Sequence, residues 1–232
     1  MKNRLKKAVF FDFGDTLTST NPTYPERCVI SLRNLGYNII FDKFEFAYLK
    51  TDFEIYKKYK DKGEVSPDDY KDWFFPILCG FLGLKGDPFE IRYKVVQQIK
   101  CIDFDRIPLP GSIDVLDYLK NKGYTLGVIS NNDGYTEDKC RDTGIFDFLD
   151  IIADSTALNM IKPDQRIFNY VINELDLVPE ECVHVGDLYG SDVKGATNAG
   201  IDVVWLNKRG HKNLDRSRVL GINDISQLLE IF

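Results

Sequence analysis

No stretch of this 232-residue chain approaches the roughly 20 apolar residues that a membrane-spanning helix needs. Basic residues are not in excess. Thirty Lys and Arg stand against 36 Asp and Glu, for a net charge of −6 and a pI near 5.1. A nucleic-acid binder needs a basic face for the phosphate backbone, so this balance argues against that class. There is no C-x-x-C pair. The five cysteines, Cys28, Cys79, Cys101, Cys140 and Cys182, are dispersed. An odd, scattered count fits a reduced, cytoplasmic protein. No His and Asn accompany a cysteine in the manner of a nucleophilic thiol, and Cys182 reads as core. The basic opening MKNRLKK is followed only by AVFF, too short for a secretory leader. No internal repeat and no low-complexity tract occurs.

What is present suits a packed α/β protein. Apolar residues make up 44% of the chain, and a chain this long buries roughly 70–75% of its unfolded surface. Residues 8–12 read as a strand. From about residue 20 to 105 the pattern is helical, with helices expected over 25–35, 42–60, 67–82 and 88–101. Ser66-Pro67 and Asp87-Pro88 each place an N-cap before a proline at the first helical position. After Pro108 and Pro110, helices are expected over 111–121, 135–143, 163–174, 191–199 and 224–231. Strands are expected between them over 124–130, 148–153, 182–186 and 202–206. Such alternation implies βαβ units and a parallel sheet. The expected architecture is a Rossmann-like α/β core, residues 1–17 and 108–232, with an all-helical insertion over 18–107. The insertion holds 17 of the 30 aromatics, which mostly fill a bundle core and leave one or two to shape a substrate site. The basic stretch KRGHKNLDRSR reads as a solvated loop before the last helix.

Four polar signatures each follow an apolar run. Asp12 ends AVFFD, Ser130 ends TLGVIS, Lys162 follows NMI, and Asp187 ends CVHVGD. In open parallel sheets ligands bind beyond the carboxyl ends of the strands, so these residues meet in one pocket. A carboxylate, a hydroxyl, an ammonium and a second carboxylate together handle a phosphate and a divalent metal. Each residue alone has a plainer reading. A strand-end Asp or Ser caps a turn, and a Lys before proline is usually solvated. His184 inside the strand of CVHVGD reads as a core histidine.

VFFDFGDTL, VISNN, IKPD and VGDLYGSD, in that order, resemble the four motifs of the haloacid dehalogenase-like hydrolase superfamily. The resemblance covers the whole core, and the helical insertion sits where many members carry a cap. It implies that Asp12 is a nucleophile forming an aspartyl-phosphate, which water hydrolyses. It implies that Ser130 and the Asn131 N–H bind phosphoryl oxygens, and that Lys162 offsets their charge. Thr16 would fix Asp12 by hydrogen bonding. Asp12, the Gly14 carbonyl and Asp187 match the family's magnesium ligands. Asp192 joins that group by orienting Lys162 or a metal-bound water. Acidic groups gathered around Asp12 repel one another without a cation, by roughly several kcal/mol in a low-dielectric cleft. Magnesium, which takes oxygen ligands, is the expected ion.

One position breaks the pattern. Phosphatases of this superfamily carry an Asp two residues after the nucleophile as general acid and base. Here that residue is Gly14, and Asp15 stands one place too late. The leading expectation is a magnesium-dependent phosphohydrolase for a small phosphorylated metabolite, as a monomer or homodimer, with no nucleic acid or membrane partner. A metal-independent dehalogenase is a second reading, against which the acidic GDLYGSD motif speaks. Phosphonate cleavage would need a reactive cap lysine, and Lys43, Lys50 and Lys57 are not distinguished. Gly14 also permits a catalytically silent, ligand-binding member.

Overall fold

The computed structural model describes residues 5–208, 210 and 218–232. The chain begins with β1 (Ala8–Phe11) and β2 (Thr18–Asn21). Four helices follow: α1 (Tyr24–Asn34), α2 (Phe41–Lys62), α3 (Pro67–Leu82) and α4 (Pro88–Ile99). Next come β3 (Asp105–Pro108), α5 (Ser112–Asn121), β4 (Thr125–Ser130), α6 (Thr136–Asp142), β5 (Ile151–Asp154) and α7 (Ser155–Leu158). The remainder comprises α8 (Gln165–Glu174), β6 (Cys182–Gly186), α9 (Gly195–Asn198), β7 (Asp202–Leu206), β8 (Val219–Ile222) and α10 (Leu228–Ile231).

Six strands form one parallel sheet in the order β5-β4-β1-β6-β7-β8. β1, β6 and β7 are buried on both faces, which is why their sequences are unbroken apolar runs. Successive side chains of β1 point to opposite faces. Val9 and Phe11 pack with Leu116, Leu119 and Leu228, whereas Ala8 and Phe10 pack with Ile167, Phe168 and Val171. Each such side chain contributes about 1.5–3 kcal/mol when fully buried. The sheet is therefore the rigid element that fixes where its strand ends lie.

Helices α1 to α4 bury a separate apolar cluster that includes Leu32, Phe44, Ile55, Leu78 and Val95. Their ends follow from local chemistry. The Ser66 hydroxyl accepts from the Asp69 N–H (3.1 Å) while the Asp69 carboxylate accepts from the Ser66 N–H (3.0 Å). α2 stops where Gly63 takes φ +88°, a conformation that costs glycine little. β2 and β3 pair antiparallel, from Thr18 opposite Pro108 to Asn21 opposite Asp105. This ribbon joins the helices to the sheet.

Several expected elements differ. Neither TSTN nor DRIP carries an apolar pattern, so β2 and β3 were not anticipated, and β8 was not either. The helix expected over 191–199 is a widened turn, Tyr189–Lys194, followed by the four-residue α9. Its cause is local: the Val193 and Asp192 N–H groups both reach the Leu188 carbonyl (3.2 and 2.9 Å). Phe146–Phe148 forms a tight turn, so the strand expected over 148–153 begins only at Ile151. The expected final helix is a tight turn, Ile225–Gln227, capped by Asp224 and followed by α10. The basic loop expected over 208–218 lies outside the described residues except for Lys208, Gly210 and Arg218. No helix among the described residues is long and apolar enough to cross a membrane.

Candidate active site

The carboxyl ends of β1, β4 and β6, adjacent in the sheet, deliver Asp12, Ser130 and Asp187 to one edge. The Asp12 N–H donates to the Val185 carbonyl (2.8 Å), which extends the strand pairing to the acid itself. Lys162 arrives from the loop before α8 and is 1% exposed. Its Nζ donates to Asp12 Oδ1 (2.6 Å) and Asp192 Oδ1 (2.7 Å). Asn131 holds that loop, because its side chain accepts from the Lys162 N–H (2.8 Å) and donates to the Lys162 carbonyl (2.9 Å).

Electrostatics follow from this packing. Burial pushes the Asp12 carboxyl up to about 6, although Lys162 pulls the other way. Burial also opposes the Lys162 charge, but the two carboxylates overcome it and hold the ammonium above the usual lysine value. Asp192 is opposed by burial too, yet Lys162 and His184 hold it well below the carboxylate range. The site thus contains a firmly ionised Asp192 and Lys162 beside an Asp12 that titrates more easily.

Asp12, Asp187 and Asp192 each offer one carboxylate oxygen, all within 4.8 Å of one another. An all-oxygen set of this kind fits a hard divalent cation such as magnesium. Asp192 Oδ1 already accepts from Lys162 and from His184 Nε2 (3.0 Å), and its Oδ2 accepts from the Leu188 N–H (3.0 Å). Both its oxygens are engaged, which fits the orienting role better than direct ligation. The Asp187 carbonyl accepts from the Trp205 indole (2.9 Å), which braces the start of the acidic turn.

Asp12, Lys162 and Asp187 border a cavity of about 470 Å³, which Ser130, Asn131 and Gly14 also line. Tyr48 and Tyr70 close it from the helical side, and burial holds both phenols above their usual value, so they face it as neutral donors. Gly14 is exposed, and a Cβ there would meet nothing within 4 Å. Asp15 also lines the cavity, at φ +57°, with its Oδ1 accepting from the Ser19 hydroxyl (2.6 Å).

One sequence expectation is corrected here. Thr16 does not hold Asp12. Its hydroxyl is buried with no hydrogen-bond partner among the described residues. Asp12 is held by its own N–H on the Val185 carbonyl (2.8 Å) and by Lys162 on its carboxylate (2.6 Å), while the Leu17 and Thr18 N–H groups close the following loop on the Phe13 carbonyl (3.1 and 3.0 Å).

Two residues that sequence reasoning passed over join the network. His184 is fully buried, set edge-on to Phe168, and touches Asp192 through Nε2. Burial lowers its pKa, so the ring is neutral and Nε2 is the donor. Its placement two residues from Gly186, on the face that meets Asp192, was the available signal. Asp52, on α2, binds the turn between Asp187 and Asp192. Nothing in the local sequence marks it.

A family model described as a haloacid dehalogenase-like hydrolase matches residues 6–200. A glyceraldehyde 3-phosphate phosphatase of Methanothermobacter thermautotrophicus is 31% identical, over 97% of this chain and 99% of that one. Among solved structures, the HAD-hydrolase YfnB of Bacillus subtilis, bound to magnesium, aligns with a TM-score of 0.69 at 21% identity, covering 98% of this chain and 99% of that one. The L-2-haloacid dehalogenase RSc1362 aligns with the same TM-score at 16% identity, covering 98% and 99%. At these identities the structural likenesses speak for the fold alone.

Proposed function

The chain belongs to the haloacid dehalogenase-like hydrolases, and on that premise we propose that it is a magnesium-dependent phosphohydrolase for a small phosphorylated metabolite. The observation that carries this reading is Lys162, fully buried and bonded at once to Asp12 and Asp192, with Asp187 within reach.

In this reading the phosphoryl group of the substrate sits between Asp12 and Ser130. Asp12 attacks phosphorus, the bond from phosphorus to the leaving oxygen breaks, and an aspartyl-phosphate forms. Water then attacks that phosphorus and restores the carboxylate. Lys162 keeps Asp12 ionised and offsets charge on the phosphoryl oxygens. Asp192 holds Lys162 in place, and His184 holds Asp192. Asp12 and Asp187, with the Gly14 carbonyl, would hold magnesium, which when bound supplies charge compensation for nucleophile and phosphate. Gly14 offers no side chain to protonate the leaving group, which favours acyl or aryl phosphates over alkyl ones. The named phosphatase relative supports a small phosphorylated substrate and makes glyceraldehyde 3-phosphate a sensible member of the first panel.

The test is phosphate release from a panel of phosphorylated metabolites and p-nitrophenyl phosphate, with magnesium and after full chelation. Release that requires magnesium and disappears in Asp12→Asn is expected. Halide release from a 2-haloacid after chelation would instead move the assignment to a dehalogenase. Ligand binding without any turnover would identify a silent member.

A further inference from the structure

The acids Asp187 and Asp192 are joined by a turn whose apex is Gly190-Ser191, and that apex is held from the helical side. The Asp52 carboxylate accepts from the Gly190 N–H (2.5 Å), the Ser191 N–H (2.9 Å) and the Ser191 hydroxyl (2.6 Å). Asp52 is 1% exposed, and no salt bridge among the described residues engages it. Its interactions are thus with donors of the turn rather than with a cation. The contact is close by design of the sequence, since a Cβ on Gly190 would collide with the Asp52 carbonyl. Beside it, the Tyr189 ring lies between Phe53 of α2 (5.8 Å) and Trp205 of β7 (5.0 Å). Trp205 in turn donates to the Asp187 carbonyl.

This wide helical turn bonds its own later N–H groups, Asp192 and Val193 back to Leu188 and Gly195 back to Gly190, but as at any helix start its first N–H groups find no partner inside it. Among the described residues, Asp52 is what satisfies the Gly190 and Ser191 N–H groups. Removing that carboxylate leaves buried donors unpaired, and the turn will shift to satisfy them. Both acids ride on it.

We propose that Asp52 is a positioning residue that couples docking of the helical body to the spacing of Asp187 and Asp192. Closure of α2 on the sheet completes the metal-holding geometry, and withdrawal of α2 relaxes it. This rests on the phosphohydrolase reading above.

The experiment compares the wild type with Asp52→Ala and Asp52→Asn. Steady-state hydrolysis of p-nitrophenyl phosphate gives kcat and KM, and calorimetric titration with Mg²⁺ alone gives metal affinity without turnover. Loss of a residue that orients metal ligands typically costs about 10–100-fold. Asp52→Ala is expected to lower kcat and weaken Mg²⁺ binding by that factor, with KM within about threefold of wild type. Asp52→Asn keeps an oxygen for both Ser191 donors but turns its NH2 toward the Gly190 N–H, and should fall between wild type and Ala in each quantity. A folded Asp52→Ala whose kcat and Mg²⁺ affinity stay within about twofold of wild type would overturn the proposal, as would an Asn variant as impaired as Ala. If Asp52→Ala does not fold, Ser191→Ala decides. It removes one of the donors to Asp52 and leaves the Asp52 carboxylate in place, and should shift both quantities the same way by about 2–10-fold, whereas no shift would overturn the proposal. A wild type that releases no phosphate from any substrate would sink the phosphohydrolase reading, while the Mg²⁺ titrations still judge the coupling.

Discussion

Replacing Gly14 with aspartate restores a carboxyl group where the pattern of the superfamily has one and this chain has none. Three features make the substitution clean. Gly14 does not adopt a positive φ, so an L-residue fits its backbone. A Cβ there meets no atom within 4 Å. The position lines the catalytic cavity, and its neighbour Asp12 is already pushed up to about 6 by burial. The like charge of Asp12 disfavours ionisation of a carboxyl placed beside it, which helps the new side chain to give a proton to the leaving oxygen. General acid catalysis contributes about 10²–10⁴-fold, or roughly 3–5 kcal/mol of barrier. The gain should fall on substrates whose leaving oxygen is a strong base. An alkyl phosphate should be hydrolysed about a hundredfold faster by Gly14→Asp, at the low end of that range, while an aryl phosphate changes by no more than about threefold. The assay is the ratio of the two kcat values, measured in parallel on one preparation. A folded variant with an unchanged ratio would refute the reasoning and turn attention to Asp15, whose carboxylate is engaged by Ser19 and whose φ is +57°.

Two further outcomes follow from the buried charges. Lys162→Met leaves Asp12 and Asp192 facing each other without their shared cation, and breaking such a buried pair costs about 3–5 kcal/mol. Urea unfolding should register that loss together with the disappearance of phosphate release, and a variant as stable as wild type would contradict the account. Asp52 has a folded pKa of about 6, raised by burial from an ordinary 3.8. The folded state therefore holds this proton more tightly than the unfolded chain does, so the Asp52 contribution to stability declines as pH rises from about 4 to about 6, by about 3 kcal/mol. The unfolding free energy of wild type minus that of Asp52→Asn should fall by this amount across the window, and parallel curves would disprove it.

Much of this molecule could be read from its sequence because buried parallel strands must be apolar throughout. AVFF, TLGVIS, CVHVG and DVVWL stood out for that reason, and the first three ended on or beside a site residue. Ser66-Pro67 and Asp87-Pro88 marked the starts of α3 and α4 to the residue, since an N-cap and a proline are local devices. What escaped was set by distant contacts. β2 and β3 exist because each pairs with the other, not because TSTN or DRIP prefers a strand. The turn after Asp187 looked helical because its bonds to Leu188 and to Asp52 leave no periodic trace. His184 read as core, and it is buried, but its partner Asp192 lies eight residues away on another element. Thr16 looked like a support for Asp12, where the Asp12 N–H and Lys162 serve instead.

The paired ribbon of β2 and β3 has an engineering consequence. Both strands that lead out of the sheet end side by side, with Asn21 opposite Asp105. Neighbouring strands lie about 4.8 Å apart, a span that a two-residue hairpin bridges. A short turn spliced between those two positions would excise α1 to α4 and leave every strand of the sheet its partners. The same two junctions would accept a foreign bundle, provided that it returns a carboxylate to the place of Asp52 against the Gly190-Ser191 turn.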